Sequence, residues 1–343
     1  MRAALLEAPG APFRVAALAT PSLAPGEVLV RVLASGVNPL DLKIAAGAAA
    51  HARHPLPAVL GLDLAGVVEA VGAEVGRFRP GDAVYGMTGG VAGVPGSLAE
   101  YAAVDARLLA IKPENLSMRE AAALPLVVIT AWEGLIDRAA VGPEQSVLVH
   151  GGAGGVGHVA IQLARGLGAR VAATASARHR AIVERLGATF VDYANESVAG
   201  YVERLTAAHG FDVVYDTVGG ATLDASFEAV RRYGHVVSAL GWGTHALAPL
   251  SFRGASYSGV FTLLPLLTGE GRERHGAILE SARVLIETGT LTPLVDPHRY
   301  TLETVGDAYA LLERRENEGK IVVDVGPAPQ VTEERDGFVY GEF

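Results

Sequence analysis

The sequence predicts an α/β protein: a β-rich, barrel-like unit that the chain leaves for a doubly wound parallel-sheet domain and later rejoins. Three observations carry this reading. Residues 1–120 hold short β-rich runs, among them 27–32, 66–71 and 82–85. Turns such as Ala24-Pro25-Gly26 and Arg79-Pro80-Gly81-Asp82 separate them. Residues 121–265 alternate apolar strand-like runs with helical patterns, which implies a parallel sheet covered on both faces. Residues 266–326 are too few for a domain, so the economical arrangement returns them to the first unit.

The second region reads in order. Residues 146–150 form a short buried strand, 157–167 a helix, 170–174 a strand and 178–186 a helix. A strand at 190–192 precedes a helix over 198–209, and strands at 212–216 and 234–239 flank a helix over 223–231. The third region carries helical patterns at 276–288 and 302–314 and closes on a strand at 320–325. Residues 327–343 are polar, with two prolines, and read as a surface tail. No internal repeat is visible.

Composition removes several function classes. The 343 residues contain no cysteine, which excludes a disulfide scaffold, a thiolate nucleophile and any zinc site with a sulfur ligand. With 28 basic against 37 acidic side chains the net charge is -9, opposite to the basic face that nucleic-acid binding wants. Half the residues are hydrophobic and 19% charged, so a packed core is expected and global disorder is not. The only lysines are Lys43, Lys112 and Lys320. The longest apolar stretch, 121–132, contains Pro125 and Thr130 and is too short to span a bilayer, so a soluble, cytoplasmic protein is expected.

The strongest local signal runs from Ser146 through His150-Gly151-Gly152-Ala153-Gly154-Gly155-Val156-Gly157. Gly152, Gly154 and Gly157 satisfy G-x-G-x-x-G directly between an apolar strand and a helix, the setting a dinucleotide loop needs. One glycine makes the turn, one admits the pyrophosphate to backbone N–H groups, and one lets helix and strand pack. The phosphates then meet the positive end of the helix. An NAD site places Asp or Glu about 20 residues further on. The chain has Ser176, Arg178 and Arg180 there and no acid, a set suited to a 2′-phosphate and hence to NADPH.

An ordered set of motifs then resembles a known family. It comprises Gly36-Val-Asn38-Pro39-Leu-Asp41, Gly61-Leu-Asp63-Leu-Ala65-Gly66, Phe78-Arg-Pro-Gly81-Asp82, Gly96-Ser-Leu-Ala-Glu100-Tyr101, Ala121-Ala-Ala-Leu-Pro125, Thr130-Ala131-Trp132, Tyr215-Asp216-Thr-Val218-Gly219 and Gly319-Lys320-Ile-Val. Over about residues 1–325 the chain resembles the zinc-free, quinone oxidoreductase-like branch of the medium-chain dehydrogenase/reductase superfamily. The resemblance implies a GroES-like catalytic domain, residues 1–120 and 266–326, around a Rossmann NADPH-binding domain, residues 121–265, with the active site in the cleft between them. The zinc-dependent branch carries a cysteine or aspartate where Asn38 stands and a His-Glu pair where Leu62-Asp63 stands, so no metal site is expected here. His51 and His54 are expected to face solvent in a loop.

Roles follow from position in the family. The resemblance places Asn38 and Thr130 at the nicotinamide and substrate pocket. Gly154, Gly155 and Val156 would offer N–H groups to the pyrophosphate. Ser176, Arg178 and Tyr193 would surround the 2′-phosphate. Val218, Leu240, Gly241 and Phe261 would border the nicotinamide half, and Lys320 would lie near the cofactor. Without a Lewis acid the acceptor should delocalise the incoming charge, as a quinone or an α,β-unsaturated carbonyl does. The alternatives are an enoyl-thioester reductase of the same superfamily and a non-enzymatic NADPH-binding protein. No proton donor is evident: Ile44 stands where relatives often have tyrosine, and Tyr85, Tyr257 and water are the candidates. The glycine-rich segment 86–96 reads equally as a flap over the cleft or as an ordinary surface turn. The resemblance further implies a homodimer joined through the nucleotide-domain sheets, with the apolar segment 260–267 at the interface.

Overall fold

The computed structural model describes residues 1–326; the tail expected at 327–343 lies outside the described residues. Two large sheets carry the architecture, and a three-stranded sheet near the N-terminus accompanies them. The first large sheet has seven strands and is largely antiparallel. Its spine is Glu27–Gly36, which pairs on one side with Asp63–Val71. On the other side it pairs with Tyr101–Asp105 along one half and with Val322–Asp324 along the other. The C-terminal strand is therefore built into the sheet that the N-terminal strands begin. The strand read from sequence as 27–32 runs on to Gly36 because that end is covered too. A Cβ on Gly36 would sit 2.1 Å from Ala122 O, so only glycine admits the helix Met118–Ala122 at this distance.

The second sheet has six strands, all parallel, in the order Thr189–Asp192, Arg170–Ala175, Ser146–His150, Phe211–Asp216, Val230–Ser238, Ser256–Gly259. The chain starts in the middle, winds out one way, then returns to wind out the other. The point of reversal lies between Ser146–His150 and Phe211–Asp216, and a crevice opens there at the carboxyl ends of the strands. The helix Gly155–Gly166 follows the first strand and buries eight of its twelve residues, as a helix sandwiched between layers must. It begins two residues earlier than the sequence suggested, because Gly154 is extended and already serves as its cap.

That helix also ties the two units together. Gln162 Nε2 donates to Thr292 O at 3.0 Å, Thr292 N donates back to Gln162 Oε1 at 2.9 Å, and Leu294 N donates to His158 Nε2 at 3.3 Å. Lys320 N in turn donates to Leu294 O at 2.7 Å, so the residue just before the closing strand is registered against the dinucleotide helix. The long helix Arg272–Glu287 packs on the first sheet, and Tyr85 Oη donates to Leu279 O at 2.7 Å beneath it. Among the described residues no helix is long and apolar enough to cross a membrane.

Candidate active site

A cleft of about 840 Å³ runs across the reversal point of the parallel sheet and reaches the first unit. Of the residues expected from sequence, Asn38, Thr130, Gly154, Gly155, Val156, Ser176, Arg178, Tyr193, Val218, Leu240, Phe261 and Lys320 line it. Gly152, Gly157 and Gly241 do not; they make room behind its wall. A Cβ on Gly157 would lie 2.1 Å from Gly151 O, one on Gly152 would lie 2.6 Å from Ala173 Cβ, and one on Gly241 would lie 2.2 Å from Tyr257 Oη.

The phosphate end is shaped by the glycine turn. The Gly154 N–H is already bonded to Gly151 O at 2.9 Å, which removes it from the donors expected for a pyrophosphate. Gly155 and Val156 open the helix with N–H groups that have no backbone partner among the described residues, and both line the cleft. At the far end Ser176 Oγ lies 3.1 Å from His179 Nδ1, and Arg178 Nη2 donates to Arg315 O at 3.2 Å. Arg180 is turned away: its guanidinium lies 4.4 Å from the Phe190 ring centre and it pairs with Glu184. Of the two arginines, only Arg178 lines the cleft. No carboxylate stands at the end of the strand Arg170–Ala175. The bare helix N-terminus, the glycine wall and the exposed arginine fit a nicotinamide dinucleotide lying along the cleft.

The opposite end is held by Asp216. Its Oδ1 accepts from Val218 N at 3.0 Å and Gly219 N at 2.9 Å, and its Oδ2 accepts from Ser238 Oγ at 2.7 Å. Ser238 Oγ accepts from Leu240 N at 3.0 Å, so one buried carboxylate sets both loops that carry Val218 and Leu240. Thr130 Oγ1 donates to Leu126 O at 2.7 Å and lies 3.0 Å from Thr262 Oγ1, so its hydroxyl proton is already engaged. His150 also lines the cleft. Burial lowers its pKa to about 4, so it is neutral at pH 7.

Between these ends lies a buried polar centre that sequence reasoning did not assemble. Asn38 caps the helix Pro39–Ala45, and its N–H donates to Asp41 Oδ2 at 2.8 Å. Its side chain is thereby free for other partners: Nδ2 donates to Asp63 Oδ2 at 2.9 Å, and Oδ1 accepts from Lys320 Nζ. Lys320 Nζ also donates to Val37 O at 2.8 Å, and Leu126 N donates to Asp63 Oδ1 at 3.0 Å. Lys320 is only 5% exposed. Burial lowers its pKa, and the nearby Asp63 and Asp41 oppose that shift. Burial raises Asp63 to about 6 against the pull of Lys320 and of its two N–H donors. The donors aimed at Asp63 and the acceptors facing Lys320 describe a carboxylate and an ammonium bridged by one amide.

Several expectations are corrected. His51 and His54 do not simply face solvent. His51 lines the cleft with its ring 5.2 Å from that of Trp242 and 6.2 Å from that of Phe261, while His54 is half-buried with Nε2 3.4 Å from Val59 O. The rings of Trp242 and Phe261 meet edge to face at 5.9 Å, so the mouth is an aromatic cluster contributed by both units. Tyr85 is fully buried and its hydroxyl is spent on Leu279 O, and Tyr257 does not line the cleft; neither is placed to give a proton there. The segment 86–96 does not line the cleft either. A Cβ on Gly96 would sit 2.2 Å from Leu60 O and one on Gly90 2.8 Å from Gly61 O, so at these two positions it packs backbone to backbone, while its tip at Gly93 is exposed.

The comparisons with known proteins agree with this geometry. Residues 24–114 match the family model of the alcohol dehydrogenase GroES-like domain, and residues 186–323 match that of the zinc-binding dehydrogenases. The chain is 37% identical over 314 residues to a 2-methylene-furan-3-one reductase of Solanum lycopersicum, covering 89% of this chain and 74% of that one. It is 36% identical, over the same shares, to an NADPH-dependent alkenal/one oxidoreductase of Arabidopsis thaliana, described as chloroplastic. A crystal structure of an alcohol dehydrogenase superfamily protein from Novosphingobium aromaticivorans superimposes with a TM-score of 0.93 at 57% identity, covering 95% of this chain and all of that one. The chain belongs to the medium-chain dehydrogenase/reductase superfamily, in its quinone oxidoreductase-like branch.

The name of one matching family model raises zinc, and the donor set here does not fit it. The position is filled by an amide, by a carboxylate already holding two N–H donors, and by an ammonium, which repels a cation. Among the described residues no three His, Cys, Asp or Glu side chains stand together as a metal site.

Proposed function

We propose that this chain is an NADPH-dependent oxidoreductase that reduces a quinone or an α,β-unsaturated carbonyl compound without a metal ion. The observation that carries the proposal is the cleft itself. It joins a phosphate-binding turn and the Arg178 end to a centre where Lys320, Asn38 and Asp63 take the place of a metal donor set. The two plant relatives, named for a furanone and for alkenals and alkenones, support the acceptor class. When bound, NADPH supplies the hydride. The chain does the rest. Gly155 and Val156 hold the pyrophosphate, Ser176, Arg178 and Tyr193 take the 2′-phosphate, and Val218, Leu240 and Phe261 wall the nicotinamide half. Thr130 and Asn38 orient the reacting groups. A conjugated acceptor spreads the arriving charge, so an amide donor suffices where a simple ketone would want a Lewis acid.

We assign residues 1–120 and 266–326 to the catalytic unit and 121–265 to the NADPH-binding unit. The pairing of Val322–Asp324 with Glu27–Gly36 supports that division. We further propose a cytoplasmic homodimer. Support comes from Ser256–Gly259, the last strand of its sheet, with Leu264 exposed close by in sequence. The test is NADPH consumption by the purified chain across quinones, enones, enoyl thioesters and saturated ketones, repeated with NADH. Turnover confined to the conjugated acceptors and a lower KM for NADPH are expected. Turnover of saturated ketones alone, or a preference for NADH, rejects the proposal.

A further inference from the structure

We propose that His51 is a specificity-determining residue. With Trp242 and Phe261 it forms an aromatic seat at the mouth of the cleft. The seat selects conjugated acceptors that carry an aryl ring on the carbon that receives hydride. This inference rests on the function proposed above and names the substrate class within it.

A cluster of large apolar side chains left open to water marks a surface that something covers in use. Trp242 is 52% exposed and Phe261 36%, although each packs on the other with ring centres 5.9 Å apart. Both line the cleft, so the surface they leave uncovered belongs to the cleft and its mouth. His51, half-buried and also lining the cleft, adds a third ring at 5.2 Å from Trp242, tilted by 33° from its plane. The three centre-to-centre distances, 5.2, 5.9 and 6.2 Å, all lie in the range of about 4.5–7 Å that favours aromatic pairs, and the open Trp242 surface offers a further ring the same spacing. Leu40, Leu126 and Leu263 add apolar lining to the same cleft.

Anchored backbone holds each ring. His51 sits on the turn Ala50–Ala52, where Ala52 is fully buried. The Ala52 N–H donates to Ala49 O at 2.9 Å, and its carbonyl accepts from Ala92 N at 2.8 Å. Trp242 follows the loop that Asp216 sets through Ser238, and its own N–H donates to Leu240 O at 2.8 Å. Phe261 precedes Thr262, whose Oγ1 lies 3.0 Å from Thr130 Oγ1, so the seat adjoins the reacting end of the cleft rather than the Arg178 end. In a β-aryl enone the ring hangs on the carbon that takes the hydride. The hydride adds to that β-carbon, the π pair moves onto the carbonyl oxygen, and a proton from water reaches the α-carbon, leaving hydroxide. Holding the ring therefore orients the reacting carbon. A β-alkyl group has no π face and less surface to bury, so it gains less from the same seat.

The test compares wild type, His51→Ala and His51→Phe on trans-4-phenyl-3-buten-2-one and trans-3-penten-2-one, two methyl ketones that differ in the β-substituent. NADPH affinity is measured separately by fluorescence titration. Wild type should favour the phenyl ketone by about tenfold or more in kcat/KM, the scale of one aromatic contact together with the surface it buries. His51→Ala should lower kcat/KM on the phenyl ketone about tenfold, chiefly through KM, with a fall of about twofold or less on the alkyl ketone and an NADPH Kd within about threefold of wild type. His51→Phe keeps a ring and removes the nitrogens, so it should stay within about threefold of wild type on the phenyl ketone. Equal losses of His51→Ala on both ketones overturn the proposal in favour of general damage. A His51→Phe loss as large as that of His51→Ala overturns it in favour of a hydrogen bond from the imidazole, and a large rise in the NADPH Kd overturns it in favour of a seat for the cofactor. Should His51→Ala fail to fold, Trp242→Ala opens the same seat from the other unit and must show the same split between ketones. A wild type that reduces both ketones equally well overturns the seat and leaves the functional reading standing. A wild type that binds NADPH and oxidises it with no conjugated acceptor, quinones included, rejects the functional reading itself.

Discussion

Asp41 should make the folded protein lose stability as pH rises, and Asp41→Asn should remove that loss. The carboxyl lies directly beneath Asn38, fully buried. Its Oδ2 accepts the Asn38 N–H at 2.8 Å, while among the described residues neither Oδ1 nor the buried hydroxyl of Tyr309 has a hydrogen-bond partner. Burial raises its pKa from the usual 3.8 to about 8, and the nearby charge of Asp63 pushes the same way. The sign follows from linkage. Above about pH 4 the unfolded chain releases the proton while the folded chain keeps it, so folding binds a proton and stability falls with rising pH. The fall ends at about pH 8, where the folded chain releases it too. The slope is about 1.4 kcal/mol per pH unit for one proton, and about four units separate the two values, so the ceiling on the loss is about 6 kcal/mol. An asparagine at 41 keeps an acceptor for the Asn38 N–H and does not titrate. Urea denaturation of both proteins at about pH 5, 7 and 8 measures the difference, which should move in favour of the variant by up to about 1.4 kcal/mol per pH unit. A difference that stays constant or moves the other way refutes the reasoning.

Other outcomes follow from the same geometry. Arg178→Ala should raise the KM for NADPH by about 10- to 100-fold, the scale of one or two charge-assisted hydrogen bonds, and leave the KM for NADH nearly unchanged; steady-state kinetics with both cofactors checks it. Gly157→Val should lower the Tm by several degrees and abolish NADPH binding. Its Cβ would collide with Gly151 O and push the phosphate turn off the helix; calorimetry and fluorescence titration read the two effects. Trp242→Ala should raise the KM for bulky aromatic enones by about tenfold while leaving kcat within about twofold, because it opens the aromatic mouth without touching the polar centre.

Much of the fold was legible because its signals are local. The strand at 146–150, the glycine turn and the helix after it are contiguous, and the close approach of Gly157 to Gly151 O lies within that turn. The return of the chain could be inferred from the shortness of the region 266–326. The polar centre was not legible, because it is made by contacts between distant segments. Asn38 and Asp63 are 25 residues apart and Asn38 and Lys320 are 282 apart, and no sequence period connects them. One signal was available: Lys320, one of only three lysines, stands immediately before the apolar run Ile321-Val322-Val323, a setting that suggests burial. The aromatic mouth was hidden for the same reason, since His51 comes from one unit and Trp242 and Phe261 from the other. Tyrosine as proton donor failed because exposure cannot be read from residue type; Tyr85 satisfies its hydroxyl inside the core.

Reduction of a conjugated acceptor with NADPH, as proposed, should need no metal. The most direct measurement is the rate of NADPH oxidation with an enone and a quinone after exhaustive dialysis against a chelator, with the metal content of the same sample determined. Full activity is expected with zinc far below one ion per chain. Activity that disappears on chelation and returns on addition of zinc would contradict it.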